Sequence, residues 1–300
     1  MRVLDEECRA DLGKKTVTPY TNVQDVTAYF EGKTKAILDR YGPGPRVHYH
    51  NGLLDDPPPP DAPAQFLRRL LVDAQERLLR YAAESWGASF ALRGDVLDVG
   101  CGLGGGSIFW AQEFGARVTA VTCVPSHIEW VSRFAAQAGV GSKIEAVLCD
   151  AAKMPGENRF DAVVAVDSSG YLPRGDWFRR LACLLRPGGR IFIVDCFLAR
   201  PENREPFDCH WRTNIGTIDE YVAAAHEAGL RPASIENISH RTQHFWTTTL
   251  ALSEAEVQDG TLDQADRVRR EASLRAHALV RKGLGDGGLL YALMSFSKAG

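Results

Sequence analysis

Residues 96–107 read Val-Leu-Asp-Val-Gly-Cys-Gly-Leu-Gly-Gly-Gly-Ser. Glycines after an apolar strand let the backbone turn sharply and approach a ligand, whose polar groups then meet the free amides of the next helix. Gly100, Gly102 and Gly105 satisfy the G-x-G-x-x-G spacing of dinucleotide sites. Those sites also need an acid at the end of the second strand to hold a ribose, and here that position is Thr122, in "AVTCVPSH". Asp98, inside the loop, suggests a different ligand.

Acid–base chemistry has fewer candidates. Asp167 follows the apolar run "DAVVAV", and the carboxyl ends of parallel strands form the ligand crevice of an open α/β sheet. His48 and His50 are two apart and would share one side of a strand. A transition metal would need third and fourth ligands that nothing nearby adds, so no metal is expected there. His50 is instead a candidate proton acceptor or hydrogen-bond partner, and His210, His240 and His244 are further acid–base candidates.

These residues need elements to position them. From Asp95 onward, "VLDVG", "RVTAVTC", "IEAVLC", "DAVVAV" and "GRIFIVD" alternate with the helical segments "SIFWAQEFG", "SHIEWVSRFAAQAG" and "DWFRRLACLL". Continuous apolar strands separated by helices predict an α/β fold, a parallel sheet covered on both faces. Before it, Leu67, Leu70, Leu71, Ala74, Leu78 and Tyr81 recur at helical spacing, after the stiff run Pro57 to Pro60. Residues 1–60 read as an N-terminal cover segment and 61–300 as the main domain. Leu198 to Gly216 interrupts the rhythm as an inserted lid. A long polar helix is predicted over roughly 254–282, with Arg267, Arg269, Arg270, Arg275, Arg281 and Lys282 on a solvated face or, for a few of them and for Arg46, Arg212 or Arg241, at a diphosphate. "GGLLYALMSFSK" reads as the last strand.

The composition is that of a globular chain: 300 residues, 45% hydrophobic and 24% charged, with a formal charge of −3. That balance supplies no basic field for nucleic acid. No apolar run nears the roughly 18 residues of a spanning helix, and residues 1–15 lack the apolar stretch of a secretory signal. The seven cysteines are scattered without a C-x-x-C pair. A soluble, cytoplasmic chain with no membrane partner is expected, and a homo-oligomer is compatible with it.

The stretch Asp98-Val-Gly100-Cys-Gly102-Leu-Gly104 resembles motif I of the class I S-adenosylmethionine methyltransferases. "LCDAAKMP", with Asp150 and Ala151, and "LRPGGRIFIVD" resemble that superfamily's later motifs in order and spacing. The resemblance implies a doubly wound, Rossmann-like seven-stranded sheet and S-adenosylmethionine as cofactor. It also implies that Asp98 orients the amino-acid end of the cofactor through Gly100, Gly102 and Gly104. Asp150 and Ala151 would contact the adenine, and Thr122 and Val166 would line the site. His127 would contact the ribose or adenine, since it takes the glutamine place of a "TLSxxQ" pattern.

Over roughly residues 41–300 the chain resembles the geranyl diphosphate C-methyltransferases and the teleocidin-type enzymes that C-methylate attached prenyl chains. "RVHYHNGLLDD", "VDSSGYL", "HWRTNIGTIDEY", "NISHRTQHFW" and "DGGLLYALMSFSK" carry this likeness, with Asp167 where the group has a glutamate. The resemblance implies methyl transfer to an isoprenoid (geranyl-type) double bond in secondary metabolism, with carbocation rearrangement or cyclisation open. The acceptor would be a small-molecule isoprenoid or a prenylated substrate, and Mg²⁺ would be needed only for a diphosphate. An alkene needs no base to attack a methyl group, only alignment at about 3–3.5 Å. The resulting cation is stabilised by aromatic faces, here Tyr49, Tyr171, Phe207, Trp211, Phe245 and Trp246, and by Asp167. The rivals are a small-molecule O- or N-methyltransferase with a His or carboxylate base, a nicotinamide oxidoreductase, and a non-catalytic regulatory protein. The segment Leu4 to Tyr29, with Pro19 and Tyr20, is expected to close the site.

Overall fold

The structure is a computed structural model that describes residues 22–258 and 264–300. Its frame is a seven-stranded sheet in the order β3-β2-β1-β4-β5-β7-β6. The strands are β1 Asp95–Val99, β2 Arg117–Thr122, β3 Ile144–Leu148, β4 Phe160–Val166, β5 Leu185–Leu198, β6 Leu230–Asn237 and β7 Leu289–Lys298. β1 pairs in parallel with β2 and β4, and only β7 is antiparallel to its neighbours β5 and β6. The strand order reverses between β1 and β4, so a ligand crevice opens where these two strands end.

Alternation along the strands sorts the core into two layers. Val96, Val118, Ala120, Ala162, Val164, Phe192 and Val194 face one side. There they meet α2 (Ala64–Ser85), α3 (Gly105–Glu113) and α4 (Pro125–Gln137). Leu97, Val99, Val121, Val163, Ala165, Ile191 and Ile193 face the other side, packed on α5 (Arg174–Leu184) and α7 (Ile218–Glu227). Within α2, Leu67, Leu71, Ala74 and Leu78 are buried at the spacing the sequence predicts.

Four further helices build the roof over the strand ends. Helix α1 spans Val23–Tyr41 and starts at Asn22, whose side chain accepts from the Gln24 amide at 2.6 Å. Within the expected lid, Arg204–Trp211 forms α6. α8 covers Ser239–Gln258 and α9 Gln264–Asp286. The single helix predicted over 254–282 is therefore divided between the two helices α8 and α9. Its face is not wholly solvated either: Arg270 is 3.0 Å from the buried carboxylate of Glu256.

The stretch holding His48 and His50 is irregular rather than a strand. Its chain follows the glycine loop and α2 instead of a strand partner: Gln75 Nε2 donates to the His50 carbonyl at 2.7 Å. Pro19, Tyr20 and most of the segment expected to close the site lie outside the described residues. Among the described residues no helix is long and apolar enough to cross a membrane.

Candidate active site

The loop after β1 opens the site. Gly100, Gly102 and Gly104 all have positive φ, 69°, 55° and 89°, a region L side chains rarely adopt. At Gly102 nothing lies within 4 Å of where a Cβ would stand, which leaves that side open to a ligand. Gly104 is different: it does not line the cavity, and its Cβ would meet Val131 of α4 at 3.2 Å. Gly104 stands at the start of α3 and is packed against α4. Gly105, one residue on, lines the cavity and brings the loop so close to the cover segment that a Cβ would stand 2.3 Å from the Val47 carbonyl oxygen.

Asp98 lies under this loop, buried, and its Oδ2 accepts from Ser107 Oγ at 2.5 Å. Burial pushes its carboxyl up to about 6, against the lowering effect of that hydroxyl. Thr122 Oγ1 accepts from the Val124 amide at 3.1 Å and so closes the turn after β2. His127 is buried at the start of α4, with Nε2 3.0 Å from Thr34 Oγ1 of α1 and Nδ1 without a partner. Desolvation pulls it down to about 4, so its ring is neutral. Asp150 accepts from the Ala152 amide at 3.0 Å, and Asp150, Ala151 and Val166 line the same cavity. Nothing in this end of the cavity conflicts with an adenosine-bearing cofactor: the open side of Gly102, the buried Asp98 and the orphaned His127 Nδ1 suit its polar groups.

The cavity continues from the loop under the roof. Asp167, Tyr49, His50, Tyr171, Trp211 and Trp246 all line it, as do Phe207 and Phe245. Asp167 sits at φ 46°, a left-handed conformation that aspartate tolerates better than most residues. Its Oδ2 accepts from the Asn51 amide at 2.6 Å and from Asn51 Nδ2 at 3.3 Å. Its Oδ1 is buried without a hydrogen bond, beside a Tyr291 hydroxyl that does not reach bonding geometry. Burial and the neighbouring Asp195 push the Asp167 carboxyl up to about 8. Asp195 is also raised, by burial, although its Oδ2 accepts from Ser169 Oγ at 2.6 Å and from the Ser169 amide at 2.9 Å.

Aromatic rings line the same cavity. Phe30 meets Tyr49 and Tyr171 edge-on at centroid distances of 6.3 and 5.4 Å. Phe207 stacks on Trp211 at 4.8 Å, and Trp211 meets Trp246 at 6.1 Å. Tyr49 is 36% exposed, but that surface faces the cavity rather than bulk water, and burial raises its hydroxyl far above the usual range. His50 has both ring nitrogens engaged, Nδ1 with the Asn51 carbonyl at 2.6 Å and Nε2 with His48 Nδ1 at 3.3 Å. It fits a hydrogen-bond partner that holds the cover segment better than a free base. Burial brings it down to about 3. His210, His240 and His244 do not line the cavity. Among the described residues no group of three or more His, Cys, Asp or Glu is placed to hold a metal ion.

Helix α1 ties the roof to the cofactor end. Thr27 Oγ1 donates to the Cys123 carbonyl at 3.0 Å, the Tyr29 hydroxyl to the His210 carbonyl at 3.1 Å, and Arg40 Nη2 to the Thr249 carbonyl at 3.0 Å. Sequence reasoning missed Phe30, Asn51, Asp195 and His277 as lining residues. For His277 a signal existed: Ala276, Val280 and Leu284 recur at helical spacing and are buried, so one face of α9 is turned inward.

The strand order, the glycine-loop site and the sequence agree on a class. Residues 96–189 match the family described as Methyltransferase domain, consistent with a class I S-adenosylmethionine-dependent methyltransferase. It is 31% identical to 27-O-demethylrifamycin SV methyltransferase of Amycolatopsis mediterranei (strain S699) over 57% of its own length and 64% of that protein's, so it spans a little under two thirds of that relative. It is 27% identical to geranyl diphosphate 2-C-methyltransferase of Streptomyces lasalocidi over 76% of this chain and 80% of that one. The crystal structure of geranyl diphosphate C-methyltransferase from Streptomyces coelicolor A3(2), in complex with Mg²⁺, geranyl diphosphate and S-adenosyl-L-homocysteine, superposes with a TM-score of 0.75. It is 18% identical and covers 95% of this chain and 100% of that one, a likeness of fold.

Proposed function

We propose that this chain is a C-methyltransferase that moves the methyl group of S-adenosylmethionine to a double bond of an isoprenoid chain. The observation that carries this reading is the cavity wall beyond the glycine loop: ring faces and a buried carboxyl, with the nearby histidine His50 already engaged on both nitrogens. Bound at the loop, the cofactor supplies an electrophilic methyl on a sulfonium centre. Asp98, Gly100, Gly102, Thr122, His127, Asp150, Ala151 and Val166 are the residues proposed to hold it. Phe30, Tyr49, Tyr171, Trp211 and Trp246 align the alkene and then face the cation it becomes, each ring contributing roughly 0.5–2 kcal/mol when dry.

Asp167 stabilises that cation as a carboxylate. A positive charge beside it draws its raised pKa back down, so the proton it holds in the free protein leaves when the charged partner binds. Its Oδ2 is tied to Asn51 while its Oδ1 has no hydrogen-bond partner, so Oδ1 is the atom that takes the proton the cation loses as the product double bond forms. The second reading, a small-molecule O- or N-methyltransferase, is supported by the rifamycin relative and needs a free base at the wall.

Mass spectrometry with methyl-labelled S-adenosylmethionine and geranylated acceptors separates the two. Label on a carbon of the prenyl chain is the expected result, whereas label on oxygen or nitrogen would replace this reading with the second.

A further inference from the structure

Helix α1 carries two stripes. Val23, Val26, Phe30 and Ile37 line the cavity. Thr27, Glu31 and Thr34 recur at helical spacing on another side and meet the segment that follows β2. Thr27 Oγ1 donates to the Cys123 carbonyl at 3.0 Å, Glu31 Oε1 accepts from the Ser126 amide at 3.1 Å, and Thr34 Oγ1 stands 3.0 Å from His127 Nε2. Thr122, Cys123, Val124 and His127 of that same segment line the cofactor end of the cavity. The roof helix is therefore seated on the turn that faces the cofactor.

The Thr34 contact fixes more than position. Thr34 Oγ1 also lies 2.8 Å from the Phe30 carbonyl, which can only accept, so the hydroxyl proton goes there. Two contacts at one hydroxyl oxygen need two protons, and the hydroxyl supplies one. The second comes from His127 Nε2, because a bare Nε2 would face the oxygen with no proton between them. Desolvation keeps the ring neutral, and a neutral ring protonated at Nε2 has a bare acceptor at Nδ1. His127 is buried, and its Nδ1 has no partner. A buried acceptor without a donor is destabilising, and the adenosine part of the cofactor carries hydroxyl and amino donors that would relieve it.

We propose that Thr34 is a positioning residue for the cofactor: by accepting from Nε2 it holds His127 in the tautomer whose Nδ1 accepts from an adenosine donor, and it thereby couples the seating of α1 to occupancy of the cofactor end. The proposal rests on the cofactor placement given above and is independent of the acceptor and of the atom methylated. The coupling is reciprocal, so a cofactor held more tightly through His127 also holds α1 more tightly.

Three measurements on the full chain test this. In free protein carrying isotope-labelled histidine nitrogens, the His127 ring, assigned by its loss in His127→Gln, is expected to show a protonated Nε2 and a bare Nδ1; a protonated Nδ1 would overturn the proposal without any further variant. In calorimetric titration, Thr34→Val, which removes the oxygen at nearly constant size, is expected to weaken S-adenosylhomocysteine by about three- to tenfold, the scale of one hydrogen bond. Thr34→Ser, which keeps the hydroxyl, stays within about twofold of wild type. In amide exchange, S-adenosylhomocysteine is expected to slow residues 23–41 in wild type and to slow them less in Thr34→Val. Unchanged affinity in Thr34→Val, an equal loss in Thr34→Ser, or exchange in α1 that does not respond to S-adenosylhomocysteine would each overturn the coupling and leave the cofactor placement standing. A wild-type chain that takes no S-adenosylhomocysteine would overturn both.

Discussion

The cofactor half and the acceptor half of the cavity are built in opposite ways. Around the glycine loop, three contacts join residues close in sequence, Asp98 to Ser107, Thr122 to Val124 and Asp150 to Ala152, while His127 reaches Thr34 of α1. Under the roof the contacts span the chain, as when Tyr29 reaches His210, Arg40 reaches Thr249 and Asn51 reaches Asp167. Local geometry that recurs with every strand–loop–helix unit constrains the first half. The second is a surface assembled from four helices and a cover segment, and its specificity can change while the frame stays.

If the two halves are separable, substitutions should split into those that change cofactor affinity and those that change transfer. Asp167→Asn should have the largest effect, lowering methyl transfer by about 10²–10³-fold while S-adenosylhomocysteine affinity holds. The pH dependence checks its cause. The folded-state pKa of Asp167 is raised to about 8 from 3.8, so the folded protein keeps a proton that the unfolded chain releases. This carboxyl therefore detracts from stability increasingly as pH rises from about 4 to 8 and fully above that. Asp167→Asn should raise the melting temperature at pH 9 relative to wild type and leave it unchanged at pH 4. The acid limb of kcat/KM near 8 should disappear from any residual activity. A melting temperature lowered at both pH values would mean that Asp167 is mainly structural.

Gly105→Ala comes next. A Cβ there would stand 2.3 Å from the Val47 carbonyl, so loop and cover segment must part, at about 1–3 kcal/mol. Thermal denaturation should show the loss, and calorimetry should show weaker S-adenosylhomocysteine binding. An unshifted melting temperature would break the claim that the two halves touch here. The smallest change is Trp211→Leu, which removes one ring face. Transfer should fall by about 2–30-fold with cofactor affinity unaltered. Equal losses in both quantities would mean that the halves act as one unit.

This division also explains what the sequence could be read for. The strand runs and the loop are legible because alternation and glycine spacing are local signals, and they predicted the sheet, Gly100, Gly102 and the cavity-lining positions of Thr122 and Asp150. Spacing alone does not say which glycine faces a ligand and which, like Gly104, is packed on a helix. Asn51 was within reach of a motif but carried no pattern that pairs it with Asp167, 116 positions away. His277 was hidden by the arginines around it, since a charged helix reads as solvated even when one stripe of it, Ala276, Val280 and Leu284, is buried. Two helices stand where one was expected over 254–282 because the polar pattern runs through both.

Helix α1 lies across the cavity, fastened at Cys123, His210 and Thr249. On the proposed chemistry its fastening decides what leaves the enzyme. A cation formed beneath it meets ring faces instead of bulk water and so is not hydrated. The released product is an olefin or a ring rather than a tertiary alcohol, and loosening α1 would show up as alcohol in the product mixture before it showed up as lost turnover.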